Sequence, residues 1–156
     1  METTLKDLIR TTGRTRIHSV TPDSTLMQAL ALMTEHNIGA VLVIEPSGAL
    51  VGIFSERDYV RAVARAGGLS NETPVCERMT PNPVTVRPEQ TVQECMVFVT
   101  ERRIRHLPVT DDRGNLVGLV SIGDLVKAAI AEKEFMIAEK QALISSLRDY
   151  ISGTII

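Results

Sequence analysis

Slid along itself by 66 residues, this chain matches itself without a gap: Val20-Thr-Pro-Asp-Ser-Thr25 falls on Val86-Arg-Pro-Glu-Gln-Thr91, and Thr34-Glu-His-Asn-Ile38 on Thr100-Glu-Arg-Arg-Ile104. Gly48-Ala-Leu-Val-Gly-Ile-Phe-Ser55 likewise falls on Gly114-Asn-Leu-Val-Gly-Leu-Val-Ser121. About a third of positions 20–62 are identical to their counterparts. Such an echo fixes the architectural unit before any single motif does. Two copies are too few for a solenoid but suffice for a pseudo-two-fold pair, whose interface holds two equivalent clefts.

At 156 residues the chain is one body by size, and each half, roughly 60 residues, is marginal alone. Apolar residues make up 44%, charged residues 23% and aromatics 3%, with no Trp. The core is therefore aliphatic, and stacking platforms for single-stranded nucleic acid are lacking. A net charge of −2 argues against a nucleic-acid or anionic-membrane surface. The longest apolar run, Ala40 to Ile44, is far too short to cross a membrane, and the N-terminus lacks a secretory signal. Cys76 and Cys95 share no CxxC spacing and read as reduced thiols of a cytoplasmic protein.

Each copy reads as β-α-β-β-α. The first has strand 17–20, helix 25–37, strand 40–44, a turn, strand 50–54 and helix 56–66, closed by Gly67-Gly68. The second has strand 84–86, stopped by Pro88, then helix 91–103, strand 107–110, a turn, strand 116–120 and a helix from Ser121. Between them, Leu69 to Pro83 is a connector with a helical turn near Val75 to Met79. The fold class is α/β (α+β), organised as repeat 1 over 6–68, connector and repeat 2 over 69–132, and a helical extension over 133–156. The last helix runs to about Ile151 with Met136, Leu143, Leu147 and Tyr150 on one stripe. That stripe packs either on a second subunit or back on its own body.

Phosphate-binding loops, nucleophile elbows and zinc signatures are missing, and His18, His36 and His106 share no ligand spacing, so no catalytic residue and no metal site is assigned. What stands out is a duplicated strand-to-helix junction, Gly52-Ile-Phe-Ser55-Glu-Arg-Asp58 and Gly118-Leu-Val-Ser121-Ile-Gly-Asp124. Ser-x-x-Asp is close to a capping box, worth about 1 kcal/mol. It equally suits a helix N-terminus that meets a phosphate, with the carboxylate accepting ribose hydroxyls.

Tandem β-α-β-β-α units, the pattern Val84-x-Val86-x-Pro88 and the duplicated Gly-x-x-Ser-x-x-Asp together resemble a CBS domain pair, or Bateman module, over about residues 6–132. The Ser55-Glu-Arg-Asp58 form is most similar to small bacterial stand-alone members. The resemblance implies a non-enzymatic regulatory module that binds AMP, ADP or ATP, and NAD in some members, between its repeats. Asp58 and Asp124 would then hold ribose hydroxyls, and Ser55 and Ser121 would touch phosphate or ribose. Arg57, Arg105 and His106 would meet phosphate, while His18, Val84, Ile38 and Ile104 would line base slots. For Arg105 and His106 the plainer reading is a solvated helix end, and for His18 an edge residue facing water. Gly39-Ala40 replace Arg105-His106, and His18 replaces Val84, so unequal clefts are expected: one for a compact monophosphate, the other, with His18 and Arg57, for a larger ligand such as NAD. A homodimer and an unknown effector protein are the implied partners. The competing readings are a ligand-free assembly module and a nucleotide-processing enzyme.

Overall fold

Threonine caps start the two crossover helices at positions 66 residues apart. In this computed structural model, which describes residues 2–12 and 17–153, Thr25 Oγ1 accepts from Gln28 N–H and Thr91 Oγ1 from Glu94 N–H, each at 3.1 Å. The Gln28 and Glu94 side chains return to the cap N–H groups, completing both boxes. Helices Leu26–His36 and Val92–Arg102 follow. Residues 13–16 of the expected first repeat and 154–156 of the expected extension lie outside the described residues.

In chain order the elements are α1 (Leu5–Thr12), β1 (Ser19–Val20), α2 (Leu26–His36), β2 (Ala40–Ile44), β3 (Leu50–Ser55) and α3 (Glu56–Ala66). A 3-10 turn at Val75–Glu77 precedes β4 (Thr80–Pro81), α4 (Val92–Arg102), β5 (His106–Thr110), β6 (Leu116–Ser121) and α5 (Ile122–Ile151). One sheet has the order β1-β2-β3-β4, with β1 parallel to β2 and the other pairs antiparallel; β5 and β6 form a second, antiparallel pair.

The expected strand at 84–86 is reduced to one parallel bridge, Val86 to Val109. Its counterpart explains why. In the first copy Leu42 N–H donates to His18 O at 3.2 Å. The residue matching Leu42 is Pro108, which has no N–H to offer the carbonyl of Val84. The strand therefore cannot extend toward residue 84.

Helix α1, which the repeat pattern does not mark, belongs to the core of the second copy. Leu5, Leu8 and Ile9 pack with Val92, Val99, Leu107 and Leu125. Backbone bonds tie it there: Leu5 N–H to Gln90 O, Lys6 N–H to Pro88 O and Val92 N–H to Thr3 O, each 2.9 Å. The connector does the same for the first copy, where Val75 joins Leu26, Met33, Val41 and Phe54. Its bonds are Val75 N–H to Ser24 O, Cys76 N–H to Pro22 O and Leu26 N–H to Thr73 O. Each core thus takes an entry segment from outside its own 66-residue frame, and the two segments correspond at an offset of 70 (Leu5 to Val75).

Cys76 is exposed and Cys95 buried, with no disulfide between them. Burial, reinforced by the Glu94 carboxylate, pushes the Cys95 thiol up to about 11, so it stays protonated and inert. Among the described residues no helix is long and apolar enough to cross a membrane.

Candidate functional site

Two clefts of about 250 Å³ each open between the copies, and each joins the Ser-x-x-Asp junction of one copy to the helix-to-strand turn of the other. The first is lined by Ser121, Asp124 and Leu119 together with Asn37, Ile38, Gly39, Ala40 and His18. The second is lined by Ile53, Ser55, Glu56, Arg57, Asp58 and Arg61 together with Thr80, Arg103, Ile104 and Arg105. Gly39 and His106 border both.

Capping is realised at both junctions. Asp58 Oδ2 accepts from Ser55 N–H at 2.9 Å and from Ser55 Oγ at 3.1 Å, and Asp58 N–H donates to Ser55 Oγ at 3.3 Å. Asp124 repeats the pattern with Ser121 at 2.9, 3.0 and 3.2 Å. One oxygen of each carboxylate is therefore committed to its own helix, and each serine hydroxyl hydrogen is spent on that oxygen. The outer oxygen, Oδ1, is the one that faces elsewhere; on Asp58 it accepts from Thr80 Oγ1 at 3.1 Å. On Asp58 the short side chain thus caps its helix with one oxygen and reaches the Thr80 hydroxyl with the other.

The strand that carries Thr80 lies close because residue 52 is glycine. A Cβ there would sit 2.3 Å from Met79 Sδ and 3.1 Å from the Thr80 carbonyl oxygen. Gly52 thereby lets β4 pair with β3 beside the cleft.

The clefts differ sharply in charge. Among the described residues, Arg57, Arg61, Arg103 and Arg105 outnumber Glu56 and Asp58 in the second, whereas Asp124 is the one residue of fixed charge lining the first. The expectation that His18 and Arg57 share a cleft is corrected: His18 lies with Asp124, and Arg57 with Asp58 and Arg105. Crossing of the copies separates them, because each junction faces the other copy's turn. The His18 ring instead stacks on His36, with centroids 3.8 Å apart. Val84, named for a base slot, lines neither cleft, and Thr80 stands on the lining of the second. Arg61, Arg103 and Thr80 escaped the sequence reading. Arg61 had a signal, lying one helical turn after Arg57 on α3.

Arg103 and its counterpart Asn37 end α4 and α2 in the left-handed region, at φ 54° and 51°. Asn tolerates this conformation, but for Arg it costs about 1 kcal/mol. This backbone places the Arg103 side chain on the lining of the second cleft. Arg103→Gly is expected to raise stability by about 1 kcal/mol in urea unfolding.

His106 begins β5 on the wall between the clefts. Burial lowers its pKa from the ordinary 6.5, against the pull of Asp124, Glu56 and Asp58 and with the help of Arg105. Because the folded value is the lower one, the unfolded chain takes up the proton first. His106 thus costs stability as pH falls from 6.5 through the folded value, and nothing above 6.5. His106→Gln is expected to flatten the loss of unfolding free energy below pH 6.5.

The chain belongs to the CBS-domain family: the CBS domain model matches it twice, over residues 5–65 and 75–131. It is 41% identical over 137 residues to the mitochondrial CBS domain-containing protein CBSX3 of Arabidopsis thaliana, covering 83% of this chain and 66% of that protein's length. The CBS-domain protein ATU1752 of Agrobacterium tumefaciens superposes with a TM-score of 0.77 at 41% identity, covering 83% of this chain and 95% of that one. CBSX2, crystallised in complex with AMP, superposes with a TM-score of 0.66 at 27% identity, covering 84% and 98%.

Proposed function

We propose that this chain is a non-enzymatic sensor of adenine nucleotides whose principal site is the cleft around Asp58. The observation that carries this reading is the convergence of four arginines on a helix N-terminus beside a carboxylate with an outward oxygen. Asp58 Oδ1 exchanges the Thr80 hydroxyl for a ribose hydroxyl, Arg57 and Arg105 take the phosphate, and Ile104 flanks the base. The AMP complex of CBSX2 supports this choice of ligand class. AMP, ADP and ATP fit the same scheme, and the surplus of positive charge suits the two phosphates of NAD. The cleft around Asp124, with Ser121, His18 and Ile38, is the weaker site and favours a ligand of lower charge.

Occupancy changes the relation of the two copies only in so far as nucleotide prefers one arrangement of them. An effector protein in the same compartment, the cytoplasm in this reading, receives that change. A homodimer through the repeat helices fits the exposure of Val60 on α3 and Val97 on α4. Calorimetric titration with AMP, NAD and adenosine tests the ligand: AMP binds in the micromolar to submillimolar range and adenosine at least tenfold more weakly. Equal heats from AMP and adenosine would remove the role given to the arginines. A ligand-free assembly role is the second reading, supported by the completeness of both caps without nucleotide, and silence from all three titrants would favour it.

A further inference from the structure

From Lys133 to Gly153 every residue is exposed, so the distal part of α5 projects beyond the body, whose last hydrogen-bonded tie is the Glu132 carboxylate and whose last neighbour is Phe135, on a cavity shared with Leu8 and Arg10 of α1. That carboxylate accepts from Thr3 N–H at 2.6 Å and from Gln93 Nε2 at 3.3 Å. The helix is not folded back on its own body. The stretch from 133 to 151 is about 28 Å long, and its apolar face lacks the tertiary packing from which helices in proteins draw most of their stability.

Its apolar residues follow a period of seven. Ile130, Ile137, Ile144 and Ile151 recur at that spacing, Met136, Leu143 and Tyr150 stand one residue before the last three, and Leu147 falls between. Ile137 is 55% exposed, Leu143 60% and Ile151 82%. An apolar repeat of seven is the signature of a helix that supercoils with another helix.

Self-pairing is favoured over a foreign partner because the stretch is complementary to itself in one orientation. Side by side in parallel, Lys133 would face Lys133 and Lys140 would face Lys140 in the middle of the seam. Reversed, with residue 133 opposite 151, the whole bare stretch is covered end to end. Ile137 then meets Leu147, and Ile144 lies on the aliphatic stem of Lys140, whose ammonium reaches water. Glu134 flanks Arg148 of the second copy, twice by symmetry, and the two Gln141 side chains meet near the axis. In this register the two bodies sit at opposite ends of the paired helices, so this contact is separate from one through the repeat helices and would join two such dimers. We infer that residues 133–151 of two copies pair as an antiparallel coiled coil.

Light scattering on the full chain tests this, with AMP titrated into the same samples. The paired double variant Ile144→Asp/Leu147→Asp, at exposed positions, should halve the mass and lower helicity by circular dichroism while leaving AMP affinity unchanged. Glu134→Arg alone should raise the dissociation constant of the assembly about tenfold, and adding Arg148→Glu should restore it. An unchanged mass in the Asp variant, a monomeric wild type at high concentration, or failure of the second charge reversal to restore pairing would overturn the inference. Loss of AMP binding in the wild type would bear on the nucleotide site alone, since the mass is read independently of it.

Discussion

Replacing Arg57 and Arg105 together with alanine is expected to weaken AMP binding about a hundredfold while leaving the unfolding midpoint almost where it was. Both side chains are exposed on the lining of the Asp58 cleft, so neither supports the core. A hydrogen bond from a charged group contributes about 1.5–3 kcal/mol, and exposure to solvent argues for the lower end. Two such bonds come to about 3 kcal/mol, or two orders of magnitude in dissociation constant. Adenosine, which lacks the phosphate, should bind the variant and the wild type alike. That comparison separates lost phosphate contacts from a damaged cleft.

The second large effect lies one residue from the cap. Phe54 is fully buried in the first core, between Ile53, which lines the cleft, and Ser55, which caps α3. Phe54→Ala is expected to cost about 3–5 kcal/mol, read by urea unfolding, because the surrounding aliphatic side chains close the cavity only in part. In a half of roughly 60 residues that is a large fraction of the total. A ligand that binds only the folded state returns part of the loss, about 2.7 kcal/mol at a hundred times its dissociation constant. AMP at saturation should therefore raise the variant's melting temperature, and should not do so when Arg57 and Arg105 are also alanine.

The copies themselves were legible because their punctuation is chemical. Threonine caps, the Ser-x-x-Asp boxes and the turn glycines Gly48 and Gly114 place α2, β2, β3, α3, β5, β6 and α5 within a residue or two of where they fold. What escaped depends on distant partners. Helix α1 finds its apolar neighbours some 80 residues along the chain, and its likeness to the segment at Val75 is displaced from 66 to 70, outside the gapless echo. Strand β4 is two residues long, and its only warrant is the space left by Gly52. The loss of a strand at Val84 follows from Pro108 on a neighbouring element.

The candidate site divides the same way. Its frame, Ser55 with Asp58 and Ser121 with Asp124, is visible in the duplication. Which basic residues face which carboxylate is set by how the copies cross, and no spacing along the chain encodes that. Arg57 and Arg61 from the first copy therefore meet Arg103 and Arg105 from the second in one cleft, while His18 is carried to the other. The asymmetry is greater than the exchange of Gly39-Ala40 for Arg105-His106 alone implies.

A crystal structure of the full chain grown with AMP is the most direct test of the nucleotide site. The account predicts one well-ordered nucleotide in the cleft around Asp58, its ribose on Oδ1 in place of the Thr80 hydroxyl and its phosphate against Arg57 and Arg105. AMP ordered at Asp124 with the Asp58 cleft empty, or a phosphate turned away from the arginines, would contradict it.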